Sequence, residues 1–164
     1  MFVGRAKIAV KVLEAFGDWN AGDIILLEDW KAKELWEAGM VEVVDETDKI
    51  LGEIDRAISE ERENEPIMPL PPGLYERAEF YIYYLENCVR MNTDESIESI
   101  NVKLTKLANL KKKLEHLKMM RFRKILEAVR LRPNSLEIIS RLSPEERRIY
   151  LQISKIRNEW LGEV

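Results

Sequence analysis

The sequence carries one cysteine, one histidine and one glutamine among its 164 residues, and only seven glycines. The lone Cys88 excludes an internal disulfide framework and a cysteine metal site, and it points to a reducing compartment. His116, the only histidine, lies between Leu114 and Leu117 in a lysine-rich run, where it reads as a bland helix-face residue. The spacings of HExxH, CxxC and an EF-hand loop are missing, so no metal is expected. The glycines never cluster, which excludes a P-loop and a dinucleotide fingerprint, and no cofactor is expected. Long apolar runs are also missing: Phe80 to Leu85 falls far short of the ~18 residues a membrane helix needs. Arg5, Lys7 and Lys11 interrupt the apolar N-terminus, so an export signal is not expected and the expected location is cytoplasmic. The single glutamine beside abundant Glu, Lys, Arg and Ile is a bias similar to that of hyperthermophile proteins.

What is present suffices for a folded chain. Hydrophobic residues make 46% and charged residues 34% of the sequence, enough to pack a core and to keep it wet outside. The charge is unevenly spread. Val102 to Arg132 holds eleven Lys or Arg and two acids, Glu115 and Glu127; this local +9 within a net −4 leaves −13 for the rest. Such separation points to internal pairing or a solvated face first, and to an acidic or nucleic-acid partner second.

Periodicity gives an α+β chain: a small ββαβ N-terminal module followed by a mainly α-helical bundle domain. Residues 7 to 14 alternate as a half-buried strand, and Asp23 to Leu27 reads as a second, more buried strand. In EDWKAKELWEAG the residues Trp30, Leu35, Trp36 and Ala38 share one helical face, ended by Gly39 in the left-handed C′ position. Val41, Val43 and Val44 make the third strand. The expected domains are 1–46, a β-rich module; 47–73, an acidic connecting helix with a proline-rich linker; and 74–164, the helical domain. The linker carries Pro66, Pro69, Pro71 and Pro72, each fixing φ.

Leu74 to Met91 is apolar nearly all round, as a core or interface helix would be. Asp94 can cap the next helix, whose Ile97, Ile100, Leu104, Leu107, Leu110, Leu114 and Leu117 recur three and four apart, with Phe122, Ile125, Leu126 and Val129 continuing the face. Ser135 can cap a short helix ending near Leu142. Ser143, Pro144 and Glu146 spell a capping box for the last helix, along which Ile149, Ile153, Ile156 and Trp160 form a stripe.

No catalytic centre is expected. The carboxylate pairs Glu14 with Asp18, Glu60 with Glu61 and Glu145 with Glu146 lie in stretches that read as exposed, and the last is explained by capping. The basic stretch interleaves with leucines, so the simplest account is an amphipathic helix whose Phe122 belongs to the core. As a functional surface, Arg121, Arg123, Lys124, Arg130 and Arg132 would dock phosphates or an acidic partner. The aromatics of the Leu74 helix exceed what one core face can hold, which favours oligomerisation.

Three ordered segments then resemble one family. GDIILLEDWKAKELWEAGMVEVV is similar to the small β-rich domain of GINS subunits. PPGLYERAEFYIYYLE, RFRKILEAV and LSPEERRIYLQISKIRNEW resemble successive helices of the GINS helical domain. The order, small domain first, resembles one of the two subunit classes, and the composition points to an archaeal member. Where the family's small domains often carry Leu-Pro before the short helix, this chain has Leu27, Glu28 and Asp29. The resemblance implies a scaffold without an active site that acts in DNA replication, in the cytoplasm at the nucleoid. Two copies would pair with two of the large-domain-first class as a heterotetramer and join the MCM helicase and a RecJ-like replisome protein. The candidate subunit-interface residues are Tyr75, Phe80, Tyr83, Tyr84, Tyr150 and Trp160. The alternative is a dimeric nucleic-acid-binding regulatory protein using the basic helix 103–132, with direct nucleic-acid contact the less favoured reading.

Overall fold

The computed structural model describes residues 2, 4–91 and 96–163. Its elements are β1 (Lys7–Val12), β2 (Ile24–Glu28), α1 (Asp29–Glu37), β3 (Val41–Val43), α2 (Thr47–Glu63), α3 (Leu74–Arg90), α4 (Ile97–Leu131), α5 (Leu136–Arg141) and α6 (Pro144–Leu161). The chain is α+β, a small antiparallel sheet followed by helices, as the periodicity implied. The expected cap at Asp94 lies outside the described residues. Two compact units emerge, Met1–Leu51 with Gly73–Lys111, and Gly52–Pro72 with Lys112–Val164. These units cut across the boundaries read from sequence, because α2 and α4 each contribute to both.

In the first unit the strand order is β2-β1-β3, with both pairings antiparallel. Ile8, Val10, Val12, Val41 and Val43 bury one face, and Leu27 joins them. β2 is a correction to the expected buried strand: it is an edge strand, and Ile24 and Leu26 are exposed. The face expected for α1 also differs. Ala32 and Asp29 are buried, while Trp30 and Ala38 are exposed. Asp29 turns inward because its Oδ1 accepts the backbone N–H of Gly4 at 2.7 Å and of Trp30 at 2.8 Å, and the helix start favours its charge. Gly39 has φ +75°, in the left-handed place expected after the helix.

A module of this size is near the lower limit for folding alone, and within this unit α3 supplies the missing core. Tyr81 donates its hydroxyl to the Val44 carbonyl at 2.9 Å, and Trp36 packs on Tyr84 at 5.2 Å and edge-on to Tyr83 at 5.9 Å. Gly73, which precedes α3, has φ +66°, and a Cβ there would come within 2.9 Å of the Arg5 carbonyl. The approach of chain to chain demands glycine at this point.

The second unit is built on Ile67, Ile125, Val129, Ile138, Leu142 and Tyr150. Ile67 belongs to the proline-rich segment, which is therefore a strap packed into this core rather than a spacer. α4 is one helix of 35 residues, and its buried positions in this unit, Leu114, Leu117, Arg121, Ile125 and Val129, step three or four apart. Phe122, expected in the core, is exposed because the arginine occupies the buried row instead. α6 has the expected capping box: Ser143 Oγ accepts the Glu146 N–H at 3.3 Å, and Glu146 Oε1 accepts the Ser143 N–H at 2.9 Å. Its buried face is Glu146, Tyr150 and Ser154, a row adjacent to the apolar stripe read from sequence.

Candidate interaction surface

In the first unit, Lys106 meets Asp48 at 3.2 Å and Lys111 meets Glu86 at 2.6 Å. In the second, Lys113 meets Asp55 at 2.9 Å, Arg130 meets Glu127 at 2.6 Å and Arg132 meets Glu137 at 3.7 Å. Glu127 is held below the usual carboxylate range by its hydrogen bond from Arg130. These contacts are solvent-exposed, so screening leaves each of them weak. Their consequence is electrostatic: much of the local positive charge is answered by the chain's own acids.

Arg121 is a correction to the expected docking surface, since its side chain is fully buried. Nε donates to Glu146 Oε2 at 2.6 Å and Nη2 to Glu146 Oε1 at 2.8 Å, a side-on fork. Nη1 donates to Glu61 Oε1 at 2.7 Å and to the Met68 carbonyl at 2.5 Å; Nη2 also reaches the Arg141 carbonyl at 3.3 Å. All five guanidinium N–H groups are thereby used. The site joins the end of α2, the proline-rich strap, α4, α5 and the first turn of α6. Lys124 also points inward, donating to the carbonyls of Glu61, Asn64 and Pro66 at 2.7, 2.8 and 3.2 Å. Its Nζ lies 2.7 Å from Glu61 Oε2, where it balances charge without hydrogen-bond alignment. Glu61 and Glu146, read from sequence as exposed acids, are buried because the guanidinium compensates them. Of the expected basic surface, Arg123, Arg130 and Arg132 are exposed.

The aromatic candidates separate in the same way. Tyr75, Phe80 and Tyr150 are buried within the chain. Tyr150 donates its hydroxyl to the Arg132 carbonyl and accepts the Ser135 N–H at 3.0 Å, so it holds the α4–α5 turn. Tyr83 and Tyr84 are half-buried; Tyr83 donates to Glu37 and lies 5.4 Å beneath Lys33 Nζ. Burial pushes the phenols of Tyr81, Tyr83 and Tyr84 well above the usual tyrosine range, with Glu37 adding to the effect at Tyr83 and Cys88 at Tyr84.

Trp160 alone among the six stands in solvent, 88% exposed. It ends the stripe of Ile149, Ile153, Ile156 and Trp160. Ile149 and Ile153 pack against the core of the second unit, whereas Ile156 is 64% exposed and the neighbouring Leu161 is also uncovered. The apolar row thus runs continuously from the core into solvent along one helix. Sequence reasoning found the stripe and named Trp160 as an interface candidate, but did not divide the other three residues between core and surface. It missed Glu61 and Glu146, whose only signal was the coincidence of Arg121 with the buried spacing of α4.

Among the described residues, no group of three or more His, Cys, Asp or Glu side chains could hold a metal ion, and no helix is long and apolar enough to cross a membrane. His116 is exposed. The second unit also has a shallow groove of about 640 Å³, lined by the strap, α4 and Ile138. No protein-family model matches the chain, and no curated protein matches it.

Proposed function

We propose that the chain is a non-catalytic scaffold subunit of the GINS type, acting in DNA replication. In this reading it assembles with a large-domain-first GINS subunit as a 2:2 heterotetramer and supports the MCM helicase, together with a RecJ-like replisome protein, in the cytoplasm at the nucleoid. The observation that carries the reading is the uncovered stripe of Ile156 and Trp160 on the helix that begins LSPEE. A tryptophan buries about 150–250 Å² at an interface, and at about 25 cal/mol per Å² that is enough to anchor a subunit. The order of elements, a three-stranded sheet with its helix before the α-helices, supports the same class.

The nucleic-acid regulator gains less support. Its expected phosphate surface loses Arg121 and Lys124 to internal contacts. Contact with nucleic acid stays as a test outcome. Removing the β-rich module would strip Tyr81 and Tyr84 of their partners, so the roles of the parts are better separated by surface variants than by truncation.

Light scattering on the chain alone and co-expressed with a large-domain-first subunit tests the reading. A stable 2:2 mass, lost in Trp160→Glu, is expected. A homodimer that ignores this partner and binds duplex DNA with a steep salt dependence would overturn it.

A further inference from the structure

Strand β2 carries the sequence IILLE and has one hydrogen-bonded neighbour, β1, among the described residues. Its register with β1 pairs Ile24 with Lys11, Leu26 with Ala9 and Glu28 with Lys7. Val12 N donates to the Asp23 carbonyl at 2.8 Å and Asp29 N to the Ala6 carbonyl at 3.1 Å. Antiparallel ladders alternate bonded and non-bonded pairs, so the bonded pairs between these two are Val10 with Ile25 and Ile8 with Leu27. The backbone N–H and C=O groups of Ile24 and Leu26 and the N–H of Glu28 are therefore directed to the edge that no described residue pairs, while the Glu28 carbonyl, as the N-cap of α1, is taken by the first turn of that helix.

The same residues carry the exposed side chains. Ile24 is 68% and Leu26 66% exposed, on the face opposite the sheet's core. Edge strands are ordinarily blunted by proline, lysine or a bulge. A glycine bulge lies just before β2, where Gly22 N donates to the Val12 carbonyl and Val12 N to the Asp23 carbonyl, but Ile24–Glu28 itself carries none of the three. An open row of backbone donors and acceptors with apolar side chains at alternate positions recognises another extended chain.

The charge at the two ends selects which chain. Exposed Asp23 precedes the strand and Glu28 closes it, with Glu28 3.7 Å from Lys7 and hydrogen-bonded by Trp30 Nε1 at 2.6 Å. A second copy pairing antiparallel through β2 would bring the Asp23 end of one strand to the Glu28 end of the other, acid towards acid. A strand with basic ends meets the opposite condition.

We propose that the free edge of β2 is a β-augmentation site for a partner protein's extended segment, with apolar residues at alternate positions and Lys or Arg at both ends. The proposal is independent of the assembly reading: β2 and the α6 stripe belong to different compact units, and its test involves no second subunit.

The test is amide hydrogen exchange on the full chain with a synthetic peptide bearing Val at two alternate positions and Lys at both ends, beside the same peptide with Glu at both ends. With the Lys-ended peptide at millimolar concentration, exchange at Ile24, Leu26 and Glu28 is expected to slow at least about tenfold, with Ile25 and Leu27 unchanged. The Glu-ended peptide is expected to leave all five unchanged. Leu26→Lys is expected to abolish the protection while keeping the parent circular dichroism, since the side chain lies in solvent. Three results would overturn the proposal: unchanged exchange with the Lys-ended peptide, equal protection by both peptides, or protection that rises with protein concentration alone and so identifies a second copy as the occupant. Retained protection in Leu26→Lys would overturn it as well.

Discussion

Arg121 holds Glu146 side-on, Nε to Oε2 at 2.6 Å and Nη2 to Oε1 at 2.8 Å, with both side chains buried. Glu146 at the same time closes the capping box of α6, so one carboxylate satisfies the start of that helix and fixes it to α4. Truncating one partner strands the others without solvent. Arg121→Ala is expected to lower the stability of the second unit by about 3–5 kcal/mol, read from chemical denaturation. Arg121→Lys is expected to recover little, because an ammonium cannot supply the fork to Glu146 and the bonds to Glu61 and the Met68 carbonyl together. A loss below about 1 kcal/mol in Arg121→Ala would mean that the network contributes no net fastening.

This network marks where sequence reasoning stops. The capping box at Ser143, the left-handed Gly39 and the order of strands and helices were legible because each is set by local chemistry over a few residues. The row Leu114, Leu117, Arg121, Ile125 was also visible as spacing, but hydrophobic pattern reading skips an arginine and takes the next apolar residue, Phe122. Whether an arginine is buried depends on Glu61 and Glu146, which are 60 and 25 residues away along the chain. The same limit applies to β2: an apolar run cannot tell an edge strand from a central one, since the difference lies in which neighbours pair with it.

Tyr150 closes a second contact of this kind. Its hydroxyl donates to the Arg132 carbonyl and accepts from Ser135 N–H, beside Asn134 in the left-handed conformation at φ 59°. Tyr150→Phe keeps the ring in the core and leaves both backbone groups short of a partner. A loss of about 1–3 kcal/mol is expected, with faster amide exchange at Ser135 as the local signature. An unchanged exchange rate at Ser135 would show that the Tyr150 hydroxyl does not protect that amide.

The tyrosines of α3 set an alkaline limit on the first unit. Burial raises the phenol pKa of Tyr81, Tyr83 and Tyr84 in the folded chain. A raised folded pKa contributes stability that is complete below the unfolded value and is lost as pH rises towards the folded one. Unfolded tyrosines ionise near pH ~10, so the denaturation midpoint is expected to hold to about pH 9 and fall steadily above about pH 10. Tyr83→Phe, which removes the phenol beside Glu37, is expected to flatten that fall. Tyrosinate absorbance recorded through the transition checks that ionisation accompanies unfolding.

Trp160 supplies the sharpest separation between folding and assembly. A side chain already in solvent contributes little to the isolated chain, so Trp160→Ala is expected to change its stability by no more than about 0.5 kcal/mol. Ile156→Glu is expected to behave alike, because Ile156 faces solvent on the same stripe. In assembly with a large-domain-first subunit, the same tryptophan would act as an anchor whose truncation costs at least about 2 kcal/mol, or roughly thirtyfold in affinity. Ile153→Ala is the internal control: it packs on Ile125 and Tyr150's cluster and should lower stability first, with any loss of assembly following from that. Equal affinity of the parent and Trp160→Ala for the second subunit would place the interface elsewhere on the chain, and the proposed role of α6 would fail while the fold stood unchanged.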